Sequence, residues 1–127
     1  MPISIKPHNE AILLVTFAGK CSVADVNQSF VDTIFPYCND RFPKIIQIIY
    51  DITTLDWDFN DFVDYLESTS NDNEQGVVPT NMQQHFIGNS RWGENLRHWL
   101  NTNYNRAMLT FADLDSALEY VQQNPKA

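Results

Sequence analysis

Several things are scarce in this chain, and each scarcity closes a class of function. No apolar run approaches the ~20 residues that span a bilayer, and the opening MPISIKPHNE has no basic stretch followed by a long apolar one. Neither a membrane span nor a secretory leader is expected, so the expected compartment is the cytoplasm. Cysteine is limited to Cys21 and Cys38, without metal-type spacing. In an unexported chain such a pair reads as free thiols rather than a disulfide framework, and the Asn-Gln-Ser acceptor at Asn27 is then of no consequence. Cations are few: 8 Lys and Arg against 16 Asp and Glu, a net charge of −8. Residues 1–76 carry 4 basic and 12 acidic side chains, and residues 77–127 carry 4 of each, so the whole excess lies in the first part. A phosphate backbone would be repelled there, and nucleic acid is not an expected partner. The acids read as a solubilising surface.

Catalytic and cofactor signatures are also missing. His8, His85 and His98 are scattered without His-Glu-x-x-His spacing, so no metal is expected. There is no nucleophile elbow, phosphate loop or dinucleotide fingerprint, and neither cysteine has a histidine near it in sequence. No cofactor is expected, and a strand histidine such as His85 reads as a satisfied sheet residue.

What is present is a 127-residue chain, 43% hydrophobic and 13% aromatic, enough for one domain with a real core. AILLVTFAG (11–19) and KIIQIIYDI (44–52) are apolar runs rich in β-branched residues, and MQQHFIG (82–88) and RAMLTF (106–111) read as two more strands. ISIKP adds an edge strand near the start. Between and after the strands, helical spacing appears in 22–35, from Asp58 onward, in SRWGENLRHWLNT (90–102) and in DLDSALEYVQQN (113–124). Ser22 suits the first N-cap, with Cys21 and Val26 placed as a hydrophobic staple. Pro36 and Pro43 punctuate the segment between that helix and the second buried strand. Residues 68–81, rich in Ser, Asn and Glu at their start, read as a flexible connector within a single domain spanning 1–127. Strands alternating with helices predict an α/β domain with a four- to five-stranded, mostly parallel sheet and four helices.

One stretch, DWDFNDFVDYLE (56–67), invites a calcium reading. Asp56, Asp58, Asn60, Asp64 and Glu67 occupy ligand positions of a twelve-residue loop. Position six, however, is Asp61 rather than the glycine of the sharp turn, and a strand precedes the segment instead of a helix. Phe59, Phe62, Val63 and Leu66 also fall within one arc of about 100° on a helix, the width of a core-facing stripe. An amphipathic helix explains the segment better, with Asp58 as N-cap and Trp57 and Phe62 as its staple. The acids near its start complement the helix dipole.

The order β-β-α-β-α-β-α-β-α over about residues 3–123 resembles the STAS domain, the α/β family of sulphate-transporter and anti-sigma-factor-antagonist (SpoIIAA-like) domains. AILLVTFAGKCSVADVNQSFVDTI is similar to its opening strand, turn and first helix. KIIQIIYDITTLD is similar to its central strand and the loop that usually reads Asp-Ser-Ser/Thr-Gly, and residues 86–121 are similar to its closing helix-strand-helix. The resemblance implies a partner-binding module switched by phosphorylation of the loop serine. Here Asp56 matches the Asp, Trp57 stands at the Ser position, and Asp58 and Phe59 follow; Thr53 and Thr54 lie nearby but off the site. An indole cannot carry phosphate, so this chain reads as a member without that switch. An outlier group of STAS-like or lipid-carrier-like α/β proteins fits the same pattern.

The expected function is therefore a non-catalytic regulatory or protein-binding module. Its expected partner surface is the loop and helix start at Thr54, Asp56, Trp57, Asp58 and Phe59, and its partner a second protein or another copy of the chain, as a homodimer. Trp57 is expected to combine stapling with docking, weighted toward docking. The alternative is a carrier or binder of a small apolar or anionic ligand between the second and third helices. Asn89, Ser90, Arg91 and Trp92 form its candidate anion site at a helix start, although an ordinary N-cap explains Asn89 or Ser90 better. Trp92 and Trp99 lie seven apart on one helix face and read first as core. The third reading is an enzyme.

Overall fold

The computed structural model describes residues 3–57, 60, 61, 63–65, 67, 68, 76, 78–88 and 109–123. Five strands form one sheet in the order β1-β2-β3-β4-β5: β1 (Ile3–Asn9), β2 (Ile12–Phe17), β3 (Ile46–Asp51), β4 (Met82–Ile87) and β5 (Leu109–Phe111). β1 lies antiparallel to β2, and the pairs β2–β3, β3–β4 and β4–β5 are parallel. The expected edge strand and mostly parallel sheet are both present. β3 sits at the centre, and its residues 46–50 are all buried, which is why both of its faces read as apolar in sequence.

Between β2 and β3 the chain forms α1 (Val23–Ser29), a π-helical turn (Phe30–Ile34) and α2 (Phe35–Asp40). Ser22 caps α1 as expected: its Oγ accepts from the Asp25 N–H at 3.1 Å, and Cys21 and Val26 are both buried in the core. Pro36 does not end the helix, contrary to its reading as punctuation. Proline has no N–H and its ring crowds the carbonyl one turn back. The π turn supplies the accommodation by widening the ladder, so that the Phe35 N–H reaches the Phe30 carbonyl.

Helix α3 follows β3, with residues 60, 61, 63–65, 67 and 68 helical. A helix over these residues is what the apolar spacing of the segment predicts. The core-facing arc is wider than the sequence suggested. Tyr65, outside the expected stripe, is buried because its ring is long enough to lean from the flank of the helix onto Phe30 and Trp57. The final helix, α4 (Leu114–Gln123), is capped by Asp113, whose Oδ1 accepts from the Ser116 N–H; that bond holds the Asp113 carboxyl below its usual range. The expected third helix at 90–102 lies outside the described residues.

A right-handed crossover advancing in one direction across a sheet puts successive helices on one face. On that face α1, the π turn, α2 and Tyr65 pack against Leu13, Val15, Phe17, Ile46, Ile48, Tyr50 and Phe86. On the other, Ala117 and Val121 of α4 pack against Ile12, Ile49 and Ile87. Strand alternation divides the residues between the two cores. The connector expected over 68–81 falls mainly outside the described residues, and its last part is anchored: Pro79 is buried, Val78 packs on the core, and the buried Asn81 amide donates to the carbonyls of Cys38 and Lys44 at 2.8 and 2.7 Å. Among the described residues no helix is long and apolar enough to cross a membrane.

Candidate functional site

The carboxyl ends of parallel strands in an open α/β sheet present loops rather than closed ladders, and ligands and partners gather there. Here the loop leaving β2 and the loop leaving β3 are tied edge to edge. The Gly19 N–H donates to the Thr54 carbonyl at 2.8 Å, and the Asp56 N–H donates back to the Gly19 carbonyl at 2.7 Å, making a parallel bridge between Gly19 and Leu55. Gly19 has φ +61°, a left-handed position that suits glycine. Behind the bridge, the Asp51 carboxylate accepts from the Thr53 N–H at 3.0 Å. Gly88, at the end of β4 with φ +110°, lies so close that a Cβ there would stand 2.8–3.0 Å from Thr53 atoms. Backbone bonds, with one side-chain acceptor from Asp51, therefore hold the lip in shape.

Thr53, Thr54 and Asp56 stand exposed along this lip. Trp57 does not. Its ring is half-buried and packs on the aromatic core, its Nε1–H donates to the Cys21 carbonyl at 2.7 Å, and it meets Tyr65 at 5.5 Å between ring centroids. Stapling, expected to be the lesser of its two contributions, thus has a definite geometry. Its partner Tyr65 lies one turn beyond the expected Phe62, whose side chain, with Asp58 and Phe59, is outside the described residues. An indole can hydrogen-bond a backbone carbonyl while its ring packs, which a leucine staple could not do.

Beside the lip lies an open groove of about 390 Å³, walled by Lys20, Cys21 and Ser22 from the β2 loop and by Asp56, Trp57 and Asp61 from the β3 loop and α3. Of these, only Asp56 and Trp57 were expected in a site. Lys20 follows Gly19 directly and Ser22 lies three residues beyond it, and the glycine after the strand was the available signal. Asp61 points to the groove because it precedes Tyr65 by one helical turn on the same side. Asn89, Ser90, Arg91 and Trp92 lie outside the described residues.

Three groups with nucleophilic or acid–base potential, Cys21, Cys38 and His85, are buried. Cys38 is pushed up to about 11 by desolvation, and Cys21 is raised by burial and then by the charge of Asp25; both thiols therefore stay protonated, whereas the nucleophile is the thiolate. His85, on β4, is lowered to about 4 by burial. Its Nε2 meets the Gln47 Oε1 at 2.9 Å, and its ring is flanked by Phe111 and Tyr120. His85 is thus a buried sheet residue paired through Nε2 but, against the expectation of a satisfied ring, its buried Nδ1 has no hydrogen-bond partner among the described residues. Among the described residues no cluster of side chains is arranged to hold a metal ion.

Strand order, the antiparallel first strand and the helices on both faces define a SpoIIAA-like α/β fold. Among solved structures the chain is similar to an uncharacterized protein from the DUF3478 family with a SpoIIAA-like fold, from Shewanella loihica PV-4, with a TM-score of 0.55 and 21% sequence identity over 93% of this chain and 90% of that one. No family model and no curated protein matches the chain.

Proposed function

We propose that the chain is a non-catalytic regulatory or protein-binding module of STAS-like type without a serine phospho-switch, and that its working surface is the lip at Thr54, Asp56 and Trp57, continuing into Asp58 and Phe59. The observation that carries this reading is the backbone lock between Gly19 and the Thr54–Leu55–Asp56 segment. It presents exposed polar side chains on a rigid edge, and rigid presentation lowers the entropy lost on association. Trp57 frames that edge from below, and the groove beside it, walled by Lys20 as well as Asp56 and Asp61, offers charges of both signs for a partner to complement. The sealed, protonated thiols and the buried His85 support a non-catalytic reading. The partner is a second protein or another copy of the chain.

The test pairs wild type with a Thr54→Arg/Asp56→Arg variant, whose changes are confined to exposed side chains. Sedimentation velocity reads self-association, and affinity capture from the native lysate followed by binding to the purified candidate reads a second protein. We expect one defined complex that the variant weakens about tenfold or more, with an unchanged melting curve; a lost interface anchor is worth that much. A complex that the variant retains at full affinity would move the working surface elsewhere. A chain that stays monomeric and captures no partner would overturn the reading.

A further inference from the structure

We propose that the chain has a second contact surface, the outer edge of β1, and that its occupant is a second copy of the chain, paired strand to strand about a two-fold axis at Ser4. β1 ends the sheet, and the neighbouring strands fix which of its backbone groups look outward. The Gln47 N–H donates to the Ala11 carbonyl. In that parallel pair Leu13 and Val15 therefore turn their N–H and C=O groups to β3, and Leu14 and Thr16 turn theirs to β1. Leu14 and Thr16 stand opposite Lys6 and Ser4, so Ser4 and Lys6 bond inward. The peptide groups of Ile3, Ile5 and Pro7 point away from the sheet. Among the described residues nothing bonds to the outward groups of Ile3 or Ile5.

An open row of donors and acceptors is a template for another strand. Protection against that is confined to one end of β1: Pro7 has no N–H to offer, and the register shifts between Pro7 and Asn9. Ile3–Ile5 carries neither device. Antiparallel pairing about Ser4 sets Ile3 of each copy opposite Ile5 of the other, so every outward N–H of these residues meets a carbonyl and no donor is needed from Pro7. The axis stands perpendicular to the sheet, which puts both aromatic faces on one side. Ile3 and Ile5, half-buried against the core of that face, then continue into the same pair of the second copy. Charge favours this edge. The chain carries −8, yet residues 1–9 contain no Asp or Glu, so neither strand brings an acid to the contact. Lys6 alternates to the other face and lies about 14 Å along the strands from its counterpart. The contact is on the far side of β1 from the lip, which joins the loops after β2 and β3. With the copies joined here, the lip of each stays open to a second protein, whose complex Thr54→Arg/Asp56→Arg weakens.

Sedimentation velocity over a range of loading concentrations should show a monomer–dimer equilibrium. Ile5→Pro removes an outward N–H and none that faces β2; it should weaken the dimer about tenfold or more, for one bond lost on each side of the axis. Thr54→Arg/Asp56→Arg should leave the dimer unchanged. Because Ile5→Pro also trims apolar packing, the register has its own test. Ser4 faces its counterpart in a non-hydrogen-bonded pair, with Cα atoms about 4.5 Å apart, within disulfide reach. Ser4→Cys should therefore cross-link into a covalent dimer under a mild oxidant, and Lys6→Cys should not; the native Cys21 and Cys38 are buried. A chain that stays monomeric, a dimer that Ile5→Pro leaves intact, or cross-linking of Ser4→Cys no faster than of Lys6→Cys would overturn the proposal. A dimer lost with Thr54→Arg/Asp56→Arg would overturn it in favour of the lip.

Discussion

Under α1, α2 and α3 the sheet carries a cluster of buried rings, whereas under α4 aliphatic side chains and the partly buried rings of Phe111 and Tyr120 surround one amide–imidazole pair. On the first face Phe30 meets Phe17, Phe35, Tyr50 and Tyr65 at 5.6–6.4 Å between centroids, and Tyr50 stacks between Phe17 and Phe86. The Tyr50 hydroxyl there is satisfied by Gln84 at 2.6 Å. On the second face Gln47 and His85 sit side by side on neighbouring central strands, both almost wholly buried. Burying polar groups costs free energy unless they are paired, so the second core depends on the protonation state of one ring and the first does not. One face is fixed by shape, the other by shape and pH.

The largest expected effect tests the first face. Phe30→Ala removes a ring that touches four others and should destabilise the fold by roughly 3–5 kcal/mol, read as the loss of midpoint in urea unfolding. A loss below about 1 kcal/mol would mean the ring cluster relaxes freely, and the contrast between the faces would weaken.

The second effect belongs to the other face. His85 titrates near 4 in the folded chain and near ~6.5 when unfolded. Between those values the unfolded chain binds the extra proton, so stability is present above about pH 6.5 and is lost as pH falls toward 4, by roughly 3 kcal/mol in all. His85→Leu cannot take up that proton. The wild-type slope of stability against pH in this window should exceed the variant's by up to about 1.4 kcal/mol per pH unit. Equal slopes would show that the histidine does not govern the second core.

Trp57 stands at the rim of the aromatic face, where packing and docking meet. Trp57→Ala loses a half-buried ring and the bond to the Cys21 carbonyl, and should cost roughly 1–3 kcal/mol in a urea melt. Association measured on the same protein sharpens the comparison. A binding loss beyond what Thr54→Arg/Asp56→Arg produces would make the ring an anchor as well as a strut. The smallest effect is the reference for both faces. Lys44→Ala breaks the exposed pair with Glu10, 3.3 Å long, and should shift stability by no more than about 0.5 kcal/mol.

Much of this architecture is legible in the residues alone. The β-branched runs at 12–17 and 46–51, the Ser22 cap and the helical spacing before and after them state local preferences, and those preferences agree with the tertiary result. Strand alternation even assigns Ile48 and Ile49 to opposite faces. Where sequence and structure part, an irregular neighbouring turn or a distant contact decided. Pro36 continues a helix because a π turn five residues long precedes it. Tyr65 enters the core because Phe30 and Trp57 offer it a place. Trp57 faces inward because the Cys21 carbonyl, 36 residues earlier, lies within reach of its N–H. The Gly19–Thr54 lock likewise joins residues that have no sequence relation. Composition and periodicity determined that this chain makes an acidic α/β domain with a mostly parallel sheet, because those features report the local preference and solvation of each segment. Which side chains face one another, and so where a partner or ligand can sit, was decided by the tertiary structure, because register and crossover handedness bring together groups that the chain keeps far apart.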